Sequence, residues 1–323
     1  VETGETRLFG VDIIGDLEPL FAPEYEDFFG PNMSLTSIVR RPSDGRTKLD
    51  QLLVNTRSMQ VAGEMTLAAG GLPEQLAFDI KLADPDGARV RLPFANDLSF
   101  AQGSLIARYD VNQGDAWSLR GRLGEVVAPG LSFSAINLDG AGQIHHGETP
   151  DLTADISFNT IGISATDPEN SNIADALGTT AQLATKLHWK AGEPVKIESL
   201  DLRTDRSDVS ANGQVFGPFD AVRLKGRVDA DLADLAFLEP LLDRPMLSSS
   251  AFRPSGEMSP VSGAFDMRLS ATGTNVQIGE ETIDSLTGEK TALTLSAARG
   301  DEGLELRQFQ LRSDALEADA KGH

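Results

Sequence analysis

The sequence predicts a mainly β protein: an elongated, repetitive, folded-over β-sheet (a β-groove) with short helical excursions. Three observations predict it. First, an apolar–polar alternation broken by one skipped residue recurs along the chain. It reads Leu304, Leu306, Phe309, Leu311; then Val195, Ile197, Leu200, Leu202; then Leu131, Phe133, Ile136, Leu138; with a weaker copy at Thr47, Leu49, Leu52, Val54. Two of the copies have a glycine eleven residues on, Gly322 and Gly213. Each copy reads as a strand, a one-residue irregularity that a bulge or tight turn would supply, and a second strand. Second, a unit that cannot bury its own apolar face and is repeated points to a layered, extended β structure. Third, the helical periodicity that strand–helix–strand units require is missing over any long stretch, so an α/β enzyme fold is not expected.

Taken in order, residues 1–13 read as a short strand with Leu8, Val11 and Ile13 as inward candidates. Phe21, Tyr25, Phe28 and Phe29 then recur at near-helical spacing between Asp16 and Gly30-Pro31, which predicts an amphipathic excursion over 16–30. From 33 to about 160 the chain is mostly strand. Leu76, Phe78, Ile80, Leu82; Leu105, Ala107, Tyr109, Val111; Trp117, Leu119, Gly121, Leu123; and Leu152, Ala154, Ile156, Phe158 are its clearest alternations. Asp84-Pro85-Asp86-Gly87, Asn112 to Asp115 and Pro129-Gly130 mark turns. A short helix is expected to end at Gly178. Strands resume at Leu183, Leu187 and Trp189 and continue through Leu224, Gly226 and Val228. Leu232, Leu235, Leu238 and Leu242 share a helical face over 231–242, which Pro240 ends or kinks. Met246 to Met258 reads as a loop, and strands at Phe265, Met267, Leu269 and at Leu293, Leu295, Ala297 lead into the last repeat. This divides the chain into a first part of the repeat domain at 1–160 and its continuation with helical excursions at 161–323.

Composition narrows the function classes. The 323 residues carry 28 Lys+Arg against 49 Asp+Glu, a formal charge of -21. Backbone-phosphate binding needs concentrated positive charge, so no nucleic acid partner is expected. With no cysteine, disulfides, thiolate metal sites and thiol catalysis are excluded. No apolar stretch reaches the roughly 20 residues of a membrane helix. The start, Val1 to Arg7, has neither an initiator methionine nor a hydrophobic segment, and the chain begins and ends within apparent repeats; it is expected to be a piece of a longer polypeptide.

Candidate chemistry is sparse. His145 and His146 are adjacent and flanked by Gly142 and Gly147, which reads as a hairpin turn; His188 beside Trp189 reads as a surface strand residue. Asp84-Pro85-Asp86-Gly87 lacks the ligand series of a calcium loop and reads as a turn. No zinc-protease helix, phosphate loop or nucleophile motif is present. A non-enzymatic chain with no cofactor and no metal is therefore expected.

What remains is the apolar side of the repeats. Stacked at about 4.8 Å per strand, the inward residues make a continuous stripe. In a closed solenoid or sandwich that stripe is core. In an open, folded-over sheet it lines a trough for acyl chains, whose transfer from water is worth about 0.8 kcal/mol per CH₂.

The chain resembles the TamB-like translocation and assembly module subunits of the AsmA-like family, in their alphaproteobacterial form. The resemblance runs over nearly the whole chain. It is carried by Gly15-Asp16-Leu17-Glu18-Pro19-Leu20-Phe21 with Tyr25-Glu26-Asp27-Phe28-Phe29-Gly30; by Ala83-Asp84-Pro85-Asp86-Gly87 and Gly114-Asp115-Ala116-Trp117; and by Ala230-Asp231-Leu232-Ala233-Asp234-Leu235, Ser262-Gly263-Ala264-Phe265-Asp266 and Gly303-Leu304-Glu305-Leu306-Arg307. It implies a middle periplasmic segment of an inner-membrane-anchored protein, with the anchor outside this segment. It further implies phospholipid acyl chains as cargo moving between inner and outer membranes. An outer-membrane barrel partner would be contacted elsewhere in the full-length protein. The family is also linked to assembly of outer-membrane β-barrel proteins. The expected groove lining is Leu131, Phe133, Ile136, Leu138, Val195, Ile197, Leu200, Leu202, Leu304, Leu306, Phe309 and Leu311. The competing expectations are a chaperone-like scaffold that captures unfolded barrel strands along exposed edges, and a purely structural β solenoid.

Overall fold

The structure, a computed structural model, describes residues 6–16, 22, 25–92, 95–217, 221–233, 247–277, 284, 289–300 and 303–322. It is mainly β, as expected, and divides into two compact units. The first comprises Val1–His145 and Phe158–Gly162, the second His146–Ser157 and Ile163–His323.

In the first unit the strands are β1 (Arg7–Gly15), β2 (Met33–Arg41), β3 (Thr47–Asn55), β4 (Met59–Leu67), β5 (Pro73–Ala83), β6 (Val90–Leu92), β7 (Ala95–Phe100), β8 (Gln102–Asp110), β9 (Ala116–Ala128) and β10 (Leu131–His145), with one helical turn, α1 (Glu26–Phe29). An antiparallel ladder runs β1–β2–β3–β4–β5–β8–β9–β10. The β6–β7 hairpin leaves this order and meets β9 at Ser99 and Val127. Together with α1 it builds the unit's core, in which Phe28, Val90, Phe100 and Val126 are buried. The β3–β4 turn holds α1 by its last carbonyls: the Arg57 and Ser58 N–H groups donate to the Phe29 and Phe28 oxygens at 2.9 and 3.2 Å. The Arg57 side chain then reaches Asp84 at 2.8 Å and Asp86 at 3.1 Å in the turn after β5. That turn is the one read from Asp84-Pro85-Asp86-Gly87, with Gly87 at φ +78° and its N–H donating to the Asp84 oxygen.

Within the second unit lie most of β11 (Asp151–Ile161), then β12 (Ser164–Ala165), a 3-10 turn (Pro168–Asn170) and α2 (Ser171–Leu177). Nine strands follow: β13 (Thr180–Lys190), β14 (Val195–Thr204), β15 (Ser207–Phe216), β16 (Arg223–Leu232), β17 (Leu247–Met258), β18 (Phe265–Gln277), β19 (Lys290–Gly300), β20 (Gly303–Ser313) and β21 (Glu317–Gly322). Each pairs antiparallel with the next, an uninterrupted meander. At about 4.8 Å per step, nine strands extend about 38 Å across the sheet.

Several expectations are corrected. Leu8 does not share a face with Val11 and Ile13: β1 is regular, so the face carrying Val11 and Ile13 takes Phe9 instead. Asp231 and Leu232 belong to β16 rather than to a helix, because β16 continues its alternation to Leu232 opposite Ser207; the rest of the helix expected over 231–242 lies outside the described residues but for Ala233. Of the loop expected over Met246 to Met258, Leu247–Met258 is instead β17, which alternates Phe252, Pro254, Gly256 and Met258 on one face, and 246 lies outside the described residues. Pro254, which has no N–H to give, sits where the β16–β17 ladder skips Val228 and Asp229. Of the excursion expected over 16–30, α1 is the helical part among the described residues, and 17–21, 23 and 24 lie outside them.

α2 ends at Gly178 as its sequence predicts, with Gly178 at φ +76° and its N–H bonded to the Ala174 oxygen. Asp205, in the β14–β15 turn, locks the chain after it. Its carboxylate accepts from the Thr179 N–H at 2.6 Å and hydroxyl at 3.0 Å, and from the Thr180 hydroxyl at 2.8 Å and N–H at 3.3 Å. These donors, led by the Thr180 hydroxyl, hold the carboxyl down at about 2 from an ordinary 3.8. A depressed folded value stabilises the fold above the unfolded value and is lost as pH falls through about 2. Asp205→Asn should therefore be less stable than the parent at neutral pH and converge with it near pH 2. Urea titrations across that range check this.

Candidate functional site

Opposed residues of an antiparallel pair point to the same face, so the registers define which side chains share a surface. In the second unit one row crosses from Leu202 through Val209, Ala230, Phe252, Ala271, Leu293 and Leu311 to Ala318. Beside it Leu200, Ala211 and Val228 are joined in register, and Pro254, Leu269, Leu295, Phe309 and Ala320 continue on the same face. A third row holds Leu187, Ile197, Gly213, Gly226, Gly256, Met267, Ala297, Leu306 and Gly322.

The skipped residue of the repeat is what keeps these rows on one side. The β14–β15 register shifts between Ile197 and Leu200, β20–β21 between Leu306 and Phe309, and β3–β4 between Leu49 and Leu52. Without the extra residue, the second half of each strand would turn its apolar positions to the opposite face. In β10 the same end is reached differently. The β9–β10 register is unchanged on both sides of an unpaired Ser134 and Glu125, and Glu125 takes φ +53°, so both strands skip together.

The rows are not a closed core. Of the buried apolar residues in the second unit, Ala154, Ile163, Ala174, Ala176, Ala230, Leu232 and Ala297, only Ile163 and Leu232 are larger than alanine. The large side chains of the rows are half-buried. At the centre of the face three glycines, Gly213, Gly226 and Gly256, lie side by side on β15, β16 and β17. A Cβ on Gly213 would stand 2.4 Å from the Lys225 carbonyl oxygen, and one on Gly226 2.3 Å from that of Asn212. The neighbouring backbone thus lies over the apolar side of each glycine, and the sheet folds toward that side. The result is a hollow of about 250 Å³ lined by Ile197, Leu200, Leu224, Val228, Met258 and Met267 together with the glycines.

Charge is kept on the opposite face. Arg223 pairs with Glu257 at 3.1 Å, Arg253 with Asp229 at 3.1 Å, and Arg307 with Asp266 at 2.8 Å and Glu305 at 2.9 Å. Hydrogen bonding to Asp266, then to Glu305, pushes the Arg307 guanidinium above its ordinary value. Exposed pairs of this kind are screened by solvent, so they set the polarity of the faces more than the stability of the sheet.

The twelve lining candidates are placed as follows. Val195, Ile197, Leu200 and Leu202 share the apolar face of β14, opposite Val215, Gly213, Ala211 and Val209. Leu306, Phe309 and Leu311 do so on β20, whereas Leu304 stands opposite Arg299 at the polar end and is 61% exposed. In the first unit Leu138 lies over Gly121, Leu131 opens β10 opposite Ala128, and Phe133 and Ile136 pack against the buried Phe28–Val90–Phe100–Val126 cluster. The apolar surface of those last two residues is thus taken up by the protein's own packing.

Sequence reasoning missed the glycine row and the contributions of Phe252, Met258 and Met267. A signal was present in the glycines eleven residues beyond the repeats, because Gly213 opposes Ile197 and Gly322 opposes Leu306 next to the two bulges. Among the described residues, no group of three or more histidine or carboxylate side chains could hold a metal, and no helix is long and apolar enough to cross a membrane. Comparison of the chain with family models, curated proteins and solved structures gives no match.

The glycine row makes a direct test of the folded sheet. Gly226→Ala forces a Cβ into a backbone oxygen and should destabilise the second unit by about 1–3 kcal/mol. Gly10→Ala, with open space around its Cβ, should leave denaturant stability nearly unchanged. Paired urea titrations separate the two.

Proposed function

We propose that this chain is a non-enzymatic conduit segment that carries phospholipids by shielding their acyl chains on the apolar face of the sheet. The observation that carries this reading is the set of apolar rows in the second unit, which cross eight or nine of its strands and are left half-buried around a glycine-lined hollow. Each methylene moved onto such a face from water gains about 0.8 kcal/mol, whatever its position along the row. The gain is non-directional, so similar contacts repeated at every strand retain a chain without trapping it at one place. The headgroup stays in water at the margin of the sheet, near the polar ends marked by residues such as Arg299. No bond is made or broken.

The sequence resemblance to TamB-like subunits supports the same reading. It implies a periplasmic segment of an inner-membrane-anchored protein, between inner-membrane lipid and an outer-membrane barrel partner contacted elsewhere.

The test is retention of phospholipid by the purified chain after incubation with phospholipid vesicles, read by native mass spectrometry. Phe309 and Leu295 face each other within the rows, whereas Gln310 and Thr294 face each other on the opposite side. Phe309→Arg and Leu295→Arg place a charge among the acyl contacts and should lower the lipid-bound fraction by more than about tenfold, the equivalent of about 1.4 kcal/mol. Gln310→Arg should leave it unchanged. Equal loss in all three variants, or no lipid on the parent chain, contradicts the reading.

A further inference from the structure

Two further rows flank the three that cross the apolar face of the second unit, and they differ in charge. On one side a row runs from Ser207 through Leu232 and Ser250 to Gly273, Thr291 and Ser313, uncharged throughout. On the other side a row runs from Leu224 through Met258, Phe265 and Arg299 to Leu304. Among the paired residues of all five rows, Arg299 is the one ionisable side chain.

A charge among apolar neighbours is costly unless it is paired or reaches water. Arg299 is exposed and makes no ion pair among the described residues. Carboxylates do stand nearby. A cavity of about 200 Å³ lies at the strand ends where the two faces meet, lined in part by Arg223, Glu257, Met258, Phe265, Asp266 and Arg299. Both of its carboxylates are engaged by other cations, Glu257 by Arg223 at 3.1 Å and Asp266 by Arg307 at 2.8 Å. The Arg299 guanidinium lies over the β17–β18 turn, with Nη1 3.9 Å from where a Cβ on Gly263 would stand. Met258 lines this cavity and the apolar hollow alike. Along β19, Arg299 stands two residues, about 6.8 Å, beyond Ala297, which opposes Met267 of the hollow.

We infer that Arg299 is the phosphate anchor of this face. Its guanidinium holds the phosphodiester of a phospholipid whose acyl chains run inward over Met258 and Met267 to the glycine-lined hollow. The planar fork of an arginine matches two phosphate oxygens at once, and its aliphatic stem tolerates apolar neighbours while the charged end stays in water. The opposite flanking row offers no cation, so the headgroup has one side of the face to occupy. This inference rests on the acyl-chain reading above. It adds a chemical preference, for phosphorylated over unphosphorylated lipid.

Vesicles of phosphatidylcholine containing diacylglycerol with the same acyl chains offer both lipids to the purified chain, and native mass spectrometry reads the ratio bound. The parent should enrich phosphatidylcholine over the vesicle composition by about tenfold, the equivalent of about 1.4 kcal/mol. Arg299→Gln should remove that enrichment by losing phosphatidylcholine, with diacylglycerol uptake unchanged. Arg253→Gln deletes the same charge from the opposite face and should keep the parent's ratio. Inorganic phosphate in excess should also leave the ratio unchanged, because it has no acyl chain to retain it. If both lipids bind without enrichment, or if Arg299→Gln keeps the parent's ratio or Arg253→Gln loses it equally, the anchor is overturned while the acyl-chain reading stands. An enrichment that inorganic phosphate alone abolishes makes Arg299 a free-anion site and overturns the lipid assignment. Uptake of neither lipid by the parent overturns both.

Discussion

Everything in this fold depends on holding apolar side chains to one face of a long antiparallel ladder. Strict alternation does this only while neighbouring strands stay in step. Over ten or more residues a twisted, folding sheet does not leave them in step, and one extra residue in one strand restores the match. The register shifts at Leu49/Leu52, Ile197/Leu200 and Leu306/Phe309 are three uses of the same device. The matched skip at Ser134 and Glu125 is a fourth solution to the same problem. Each lets the strand bend while both of its halves keep facing the same side.

The two units use that face differently. In the first, α1 and the β6–β7 hairpin close over strand ends, and Phe100 and Val126 become a true core. Folding there is stabilised by ordinary burial, and Phe133 and Ile136 are drawn into it. In the second, no comparable pair of elements is present among the described residues, and the buried set is mostly alanine. The apolar rows are left half-covered, and the glycines that let the backbone fold also leave the central hollow. A surface of that kind is costly in water, about 25 cal/mol for each Å² left uncovered, which is the physical reason to look for a hydrocarbon occupant. The glycines have a double role: they permit the curvature, and they remove the side chains that would have filled it.

Much of this was legible in the residues. The spacing Val195, Ile197, Leu200, Leu202 announces a strand with a break, and the break is a bulge between the two middle positions. Gly178 announces the end of α2 through its freedom to take positive φ. Other features were hidden for physical reasons. β17 has a proline and a run of serines, which local propensity rejects as a central strand; neighbours on both sides override that preference. The β6–β7 hairpin is too short to show a period, and its weight comes from two residues, Val90 and Phe100, whose burial depends on β9 and α1 from elsewhere in the chain. Gly226 and Gly256 look like weak points in their strands, and only the cross-strand register reveals that they stand beside Gly213.

The central claim is that the apolar face of the second unit is open to hydrocarbon. The most direct measurement is methyl NMR of the chain with a phospholipid that carries a nitroxide on its acyl chain. The account predicts selective loss of intensity at the methyls of Ile197, Val228, Leu295 and Leu311. Ile106, an exposed apolar residue on the polar face of β8, should keep its signal. Unchanged signals along the rows, or losses at Ile106 as large as those in the rows, would contradict it.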